Sequence, residues 1–371
     1  MKLDHKGIVP YLLAFIALVA CVTFGQVNRR PGKAGRPPAD ALRQPDQGDK
    51  LKPPTATATG AEAEAAPKAA GSGRVVLITL DGWHVRLTDH MPVWKEMAAE
   101  GAWTFKALVP KGATTVISHA ELYTGAEPSV NGVMRELENT GPDTHVHGWR
   151  FRWKPYMRVA DDGTVTYTVK DTLFTAVETA GYKAIAVVQK GKLVGELRPD
   201  GSEGGIKVAG DTELVKTACA ALKDDATRLV ILHIGMPDGA GHEHGWLSDE
   251  YIATGAKVSK YLETIRGCIA DADKAGGVPT TLIVTSDHGG TPVDACQAKR
   301  HKDKCGHGAN DDDNRRVPWI AVGPGIKPGH QIAADIRLED TAPTILRILG
   351  IPTSSIPTLT GVSVDEIFVR P

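Results

Sequence analysis

Residues 74–83 read Arg-Val-Val-Leu-Ile-Thr-Leu-Asp-Gly-Trp. The first seven form a nearly unbroken β-branched and aliphatic run, the composition of a strand covered on both faces. The run stops at an aspartate followed by a glycine. Three later stretches repeat the form: AIAVVQ at 184–189, RLVILHIG at 228–235 and TTLIVTS at 280–286. Helical patterns lie between them, at 91–101, 116–124, 172–180, 212–222 and 249–273, and WIAVG at 319–323 precedes a last one at 338–349. This alternation predicts an α/β fold, a mostly parallel central sheet with helices on both faces. Residues 135–169, rich in Trp, Arg and Tyr and weak in periodicity, read as a small insertion over one end of that sheet.

Working outward, the chain of 371 residues is long enough for one large buried core, assigned to 74–371. With 43 Lys+Arg against 44 Asp+Glu, its net charge of -1 gives no bulk attraction to nucleic acid, and no nucleic-acid-binding surface is evident. The N-terminus differs. Lys2, His5 and Lys6 precede an uncharged segment at 8–25, read as an export signal or a membrane anchor. Leu18-Val19-Ala20-Cys21 resembles the lipobox of bacterial lipoproteins, in which the cysteine carries lipid. An uncleaved helix is the alternative, the segment being at the lower edge of what crosses a hydrocarbon core. Residues 26–73 are Pro, Ala, Gly, Thr and charge, a composition that cannot bury enough surface to fold, and read as a disordered linker. Both readings of 1–25 place the domain outside the cytoplasm. Four cysteines remain for an oxidising compartment: Cys296 with Cys305 by proximity in a polar loop, and Cys219 with Cys268 by elimination.

In open α/β sheets the site lies beyond the C-terminal ends of the strands, so the residues that follow each run belong together. They are Asp81, then Asp238 and His242 in DGAGHEHG, then Asp287 and His288 in SDHGG, and His307 after a cysteine-containing loop. One such aspartate alone reads as a cap or turn residue. Three aspartates and three histidines at successive strand ends are a hard and borderline donor set without thiolate, suited to zinc or a similar divalent ion. Six ligands exceed one tetrahedral site that must also hold substrate, and suffice for two ions.

The ordered series LDGW (80–83), TTVISHAELYTG (114–125), DGAGHEHG (238–245), SDHGG (286–290), HG (307–308), VPWIAVGPGI (317–326) and EDTAPTILRILGI (339–351) resembles the alkaline phosphatase superfamily, particularly its nucleotide pyrophosphatase/phosphodiesterase branch. The resemblance implies an alkaline-phosphatase-like fold and a two-metal hydrolase of small-molecule phosphate esters. It maps the nucleophile to Thr115, four residues before His119. It also implies one zinc ion on Asp81, Thr115, Asp287 and His288, and a second on Asp238, His242 and His307. Thr115 would form a covalent phosphothreonine. It also fits the N-cap of a helix opening at Val116.

The match departs from the branch at one point. Where related phosphodiesterases place an asparagine that binds a phosphoryl oxygen, this chain has Glu136, flanked by Asn131 and Asn139. Asn139, Asn131 and Lys111 are the candidate substrate contacts, and a phosphomonoesterase on the same scaffold is the alternative activity. Among Lys111, Arg135, Lys190 and Lys192, each reads more readily as solvated charge than as a phosphate contact. Trp149, Trp153 and Tyr156 read as packing of the insertion. No C/S-x-P-x-R segment follows the first strand, which argues against a sulfatase, and an export signal argues against the cytoplasmic phosphosugar mutases. The remaining class is a non-catalytic, metal-stabilised ligand-binding lipoprotein. Retention of all seven family positions argues for an enzyme.

Overall fold

In the computed structural model, strand β1 (Arg74–Leu80) is buried along its whole length, as its composition requires. The structure describes residues 73–133, 157–159, 165–167, 169–199, 202, 204–298 and 306–370. The N-terminal segment with Cys21, the linker, Arg135, Glu136, Asn139, Trp149, Trp153, Tyr156 and Cys305 lie outside these residues, and only short pieces of the 135–169 segment fall within them.

The other strands are β2 (Ala102–Leu108), β3 (Met157–Val159), β4 (Val165–Tyr167), β5 (Lys183–Val188), β6 (Ile206–Val208), β7 (Thr227–Ile234), β8 (Thr280–Thr285), β9 (Arg316–Val322) and β10 (His330–Gln331). Eight form one sheet in the order β10-β2-β9-β8-β1-β7-β5-β6, while β3 and β4 pair separately. β1 runs parallel to both β7 and β8, and β9 is antiparallel to β8 and to β2. The sheet is therefore parallel except for β9. Thr79 of β1 lies opposite both His233 and Thr285, so the three strands end level and release their loops side by side.

The helices are α1 (Pro92–Glu100), α2 (Thr115–Thr124), α3 (Pro128–Asn131), α4 (Leu173–Thr179), α5 (Val194–Leu197), α6 (Asp211–Ala221), α7 (Met236–His244), α8 (Asp249–Lys274), α9 (Val293–Ala298), α10 (Asp312–Arg315) and α11 (Thr341–Leu349). Alternation along the strands sends Val75, Leu77, Leu229 and Ile231 to one face, against Leu122 and Tyr123 of α2, Phe174 of α4 and Ile345 of α11. Val76, Ile78, Val230 and Leu232 go to the other, against Trp94 of α1, Leu214 of α6 and Val258 of α8. Helices thus cover both faces, as the apolar runs require. At the end of the sheet opposite the strand C-termini, the Arg74 guanidinium is fully buried and donates to Leu222 O at 2.7 Å and Thr227 O at 2.8 Å. It thereby supplies a partner for the Leu222 carbonyl released where α6 ends and for the Thr227 carbonyl at the start of β7.

Candidate active site

The loops after β1, β7 and β8 are joined through their backbones. Asp81 N–H donates to Ile234 O and Asp238 N–H to Asp81 O, each at 2.9 Å, and Gly82 N–H donates to Asp287 Oδ1 at 3.0 Å. Gly82 has φ 69°, and a Cβ there would lie 2.9 Å from Asp238 Cα, so only glycine admits this approach. Its carbonyl accepts from Tyr251 Oη at 2.7 Å and from Trp246 Nε1 at 3.0 Å. α7 sets Asp238 and His242 one turn apart on one helix face.

These constraints gather the strand-end residues. His288 Nε2 lies 3.5 Å from Asp81 Oδ1 and 3.4 Å from Asp287 Oδ2. Asp238 Oδ1 lies 3.3 Å from His242 Nε2 and 3.9 Å from His307 Nε2. Among the described residues two sets offer ligand atoms within 4.8 Å of one another: Asp238, His242 and His307, and Asp81, Asp238 and His288, with Asp238 common to both. His288 Nδ1 lies 2.8 Å from Gly289 O and His307 Nδ1 lies 3.3 Å from Ala113 O. A carbonyl only accepts, so each Nδ1 carries the proton and each Nε2 presents a lone pair to the carboxylates, the usual support for a metal-binding imidazole. Asp81 Oδ1, Asp238 Oδ1, Asp287 Oδ2 and His288 Nε2 are buried and carry no hydrogen bond among the described residues. Buried polar atoms are rarely left in this state, and four together fit a cation-binding centre.

The electrostatics follow from this crowding. Burial, then the Asp81 charge, pushes the Asp287 carboxyl up to about 7. Burial alone would raise Asp81 too, but Lys190 and His233 outweigh it and hold that carboxyl well below the usual range. Burial and Asp81 push Asp238 up, while His242 and Lys190 bring it below its ordinary value. Burial, then His288, lowers His307 to about 4, so that ring is neutral near pH 7.

α2 places Thr115 at its first residue, 2% exposed. The N-cap is Thr114, in extended conformation (φ -130°, ψ 166°) and with no capping bond from its side chain, because Ser118 N–H reaches back to Thr114 O and closes the first turn one residue earlier than the sequence indicates. His119 Nδ1 donates to Thr115 O at 2.7 Å, which leaves Nε2 to accept from Thr79 Oγ1 at 3.2 Å. Thr115 Oγ1 has Lys190 Nζ 3.1 Å away.

The structure therefore brings Asp81, Thr115, Asp238, His242, Asp287, His288 and His307 to one point. Lys190, expected to be a solvated charge, lies with them and keeps only 27% of its side chain exposed. Burial opposes its charge, but Asp81, Asp238 and Asp287 hold the ammonium above the ordinary lysine value. Lys111 is exposed, and Lys192 lies in the short helical turn Gly191–Leu193. Asn131 is fully buried, donating to Ala126 O and accepting from Val133 N–H, so its amide serves the α3 turn. His233 lies inside an apolar strand run that gives no sign of a site role, yet its Nε2 is 2.8 Å from Asp81 Oδ2. Cys219 and Cys268 are bonded, whereas the Cys296–Cys305 pairing lies outside the described residues. A cavity of about 220 Å³ beside Arg266, Thr280 and Gly323 lies at the opposite end of the sheet and takes none of these residues.

Comparison with known proteins agrees with this geometry. Cofactor-independent (2,3-bisphosphoglycerate-independent) phosphoglycerate mutase of Gloeothece citriformis is 34% identical over 157 residues, 40% of this chain and 26% of the mutase. That of Nostoc sp. is 32% identical over 160 residues, 40% of this chain and 26% of the mutase. The match thus spans about a quarter of those relatives. Among solved structures, an inactive form of murine ectonucleotide pyrophosphatase/phosphodiesterase 5 in complex with AMP superposes with a TM-score of 0.57 at 12% identity, over 80% of this chain and 100% of that one. The lipoteichoic acid synthase LtaP of Listeria monocytogenes superposes at 0.54 and 15% identity, over 80% and 76%. At such identities these two show the fold alone. The family model for type I phosphodiesterase / nucleotide pyrophosphatase matches residues 75–340, well over half of the chain and every candidate ligand. The chain belongs to the type I phosphodiesterase / nucleotide pyrophosphatase family.

Proposed function

We propose that this chain hydrolyses phosphate esters with Thr115 as its nucleophile and two divalent metal ions as cofactors. The observation that carries the reading is the set of four buried ligand atoms that have no hydrogen bond among the described residues, gathered beside a threonine hydroxyl at a helix N-terminus. Asp238, His242 and His307 would hold one ion, and Asp81, Asp287, His288 and Thr115 the other, with Asp238 within reach of both. The mixed oxygen and imidazole donors suit zinc. When bound, the ions would supply Lewis-acid stabilisation of charge on the attacking and leaving oxygens.

The chain's own residues account for the rest. α2 holds Thr115 Oγ1 beside Lys190 Nζ, and the N–H groups of its first turn would meet phosphoryl oxygens. Oγ1 releases its proton to solvent and bonds to phosphorus as the bond to the leaving oxygen breaks with its electron pair; that oxygen takes a proton from water. A water molecule then attacks phosphorus, losing one proton, while the bond from phosphorus to Oγ1 breaks and Oγ1 regains one. A monoester passes through phosphothreonine to inorganic phosphate, whereas a diester passes through a phosphothreonine that keeps its second ester group and leaves as a phosphate monoester.

The test is turnover of p-nitrophenyl phosphate and bis-p-nitrophenyl phosphate with zinc restored after chelation, in the wild type and in Thr115→Ala. Zinc-dependent release of nitrophenol that the variant loses by at least about a thousandfold, with its metal retained, supports the reading. Bound metal without turnover of either ester would favour a ligand-binding protein.

We also infer an extracytoplasmic setting, tethered by residues 1–73. The Cys219–Cys268 disulfide and the basic, apolar and then Pro/Ala-rich order of the N-terminus support it. Mass spectrometry of the mature N-terminus decides between a lipidated Cys21 and a retained helix, and an unprocessed chain found in the cytoplasm would refute the setting.

A further inference from the structure

We propose that Lys190 is a catalytic residue that selects a terminal, doubly charged phosphoryl group, so that phosphate monoesters are preferred to diesters. This rests on the reading of Thr115 as the nucleophile.

Lys190 follows β5, which lies next to β7 and second from β1, so strand order delivers it to the same edge as the metal-binding candidates. The residue before it is clamped: Gln189 N–H donates to His233 Nδ1 at 3.3 Å, and Gln189 Oε1 accepts from Gly235 N–H at 2.6 Å. The ammonium is therefore placed by the sheet and does not drift as an exposed lysine would. Its Nζ lies 2.7 Å from Asp81 Oδ2, 2.7 Å from Asp238 Oδ2 and 3.1 Å from Thr115 Oγ1.

The oxygens of the two aspartates are divided. Both Oδ2 atoms face Lys190, while both Oδ1 atoms face the histidines and carry no hydrogen bond among the described residues. At the two aspartates Lys190 thus takes the oxygens turned away from the histidines, and at Thr115 it donates to the one side-chain oxygen, which would be shared between the ammonium and an ion. Its Nζ contacts the hydroxyl of Thr115 directly.

A fixed positive charge beside the nucleophilic oxygen discriminates by charge. The ammonium sits between the Asp81 and Asp238 carboxylates and the Thr115 hydroxyl, and it offsets at that oxygen the negative charge that would otherwise repel a phosphoryl group. A monoester brings two negative charges and three non-bridging oxygens, whereas a diester brings one charge and two such oxygens. Coulomb attraction scales with that charge, so the lysine favours the monoester about twofold in interaction energy at equal distance. Its charge is constant through the reaction, and no proton passes through it.

The experiment compares kcat/KM for p-nitrophenyl phosphate and bis-p-nitrophenyl phosphate in the full-length wild type, Lys190→Gln and Lys190→Arg, with metal content measured in each. It is paired with calorimetric binding of inorganic phosphate to Thr115→Ala and to the Thr115→Ala/Lys190→Gln double variant. The wild type should prefer the monoester. Lys190→Gln should lose at least about a hundredfold on it and less than about tenfold on the diester, at unchanged metal content. Lys190→Arg should recover part of that preference, and the double variant should bind phosphate at least about tenfold more weakly. Equal losses on both esters, a wild-type preference for the diester, or loss of metal in Lys190→Gln would overturn the proposal. If the wild type turned over neither ester, the hydrolase reading would fail, and the phosphate-binding arm would still decide whether Lys190 holds a phosphoryl group.

Discussion

His233 Nε2 lies 2.8 Å from Asp81 Oδ2, between two side chains with no exposed surface. Gln189 N–H occupies the other ring nitrogen, so Nε2 carries the proton and donates. The bond fixes Asp81 with Oδ1 turned toward His288. His233→Ala should therefore lower metal affinity by about 10–100-fold, the usual cost of removing a group that orients a ligand. Competition with a coloured chelator measures it, and unchanged affinity would show that Asp81 needs no such support.

Asp238 offers an atom to both candidate metal sets, whereas His307 belongs to one. His307→Ala should retain about one equivalent of metal, and Asp238→Ala should lose most of both. Metal analysis after gel filtration distinguishes them. Equal retention by the two variants would mean that Asp238 does not bridge the sets.

Much of this site is legible in the sequence because its ligands directly follow long apolar strands, and strand ends in a parallel sheet converge. β2 escaped notice since Ala102–Leu108 mixes Trp103, Lys106 and small residues, a pattern that its partial exposure explains. The reversed direction of β9 leaves no trace in Arg316–Val322, because alternation is the same in either direction. Lys190 and His233 were obscured for different reasons. A lysine after a strand resembles any surface lysine until strand order sets β5 beside β7. A histidine within Leu232-His233-Ile234 reads as part of the apolar run until register places it opposite Thr79 and near Asp81.

Glu121 on α2 is 1% exposed, and burial first, then the neighbouring Glu339, pushes its carboxyl well above the ordinary range. Folded protein thus holds this proton where the unfolded chain has lost it. The stabilisation is complete below the unfolded value of about 4.3 and is lost as pH rises through the higher folded value. Glu121→Gln removes this dependence. Relative to the variant, the wild type should lose up to about 1.4 kcal/mol per pH unit across that window. Urea unfolding of both proteins from pH 4 to pH 9 measures the difference, and parallel pH profiles would show that Glu121 does not hold the proton.

Cys219 on α6 and Cys268 on α8 are bonded across a sequence separation of 49. Both helices pack on the same sheet face, and the bonded residues lie in their C-terminal halves, whereas the α8 residue that supports the site, Tyr251, lies in that helix's first turn, so the bond acts on the unfolded chain more than on the site. A loop of that length restricts the unfolded ensemble by about 4 kcal/mol in the chain-entropy picture, with about 2–4 kcal/mol usual in practice. Cys219→Ser/Cys268→Ser should lower the urea midpoint by a corresponding amount and raise the m-value, because the uncrosslinked chain exposes more surface on unfolding. Metal content and turnover at 25 °C should be unchanged, since Leu214, Ala218, Val258 and Leu262 remain in the core beneath both helices. A midpoint that does not move, in the variant or in the reduced wild type, would mean that the crosslink adds nothing to the packing of α6 on α8.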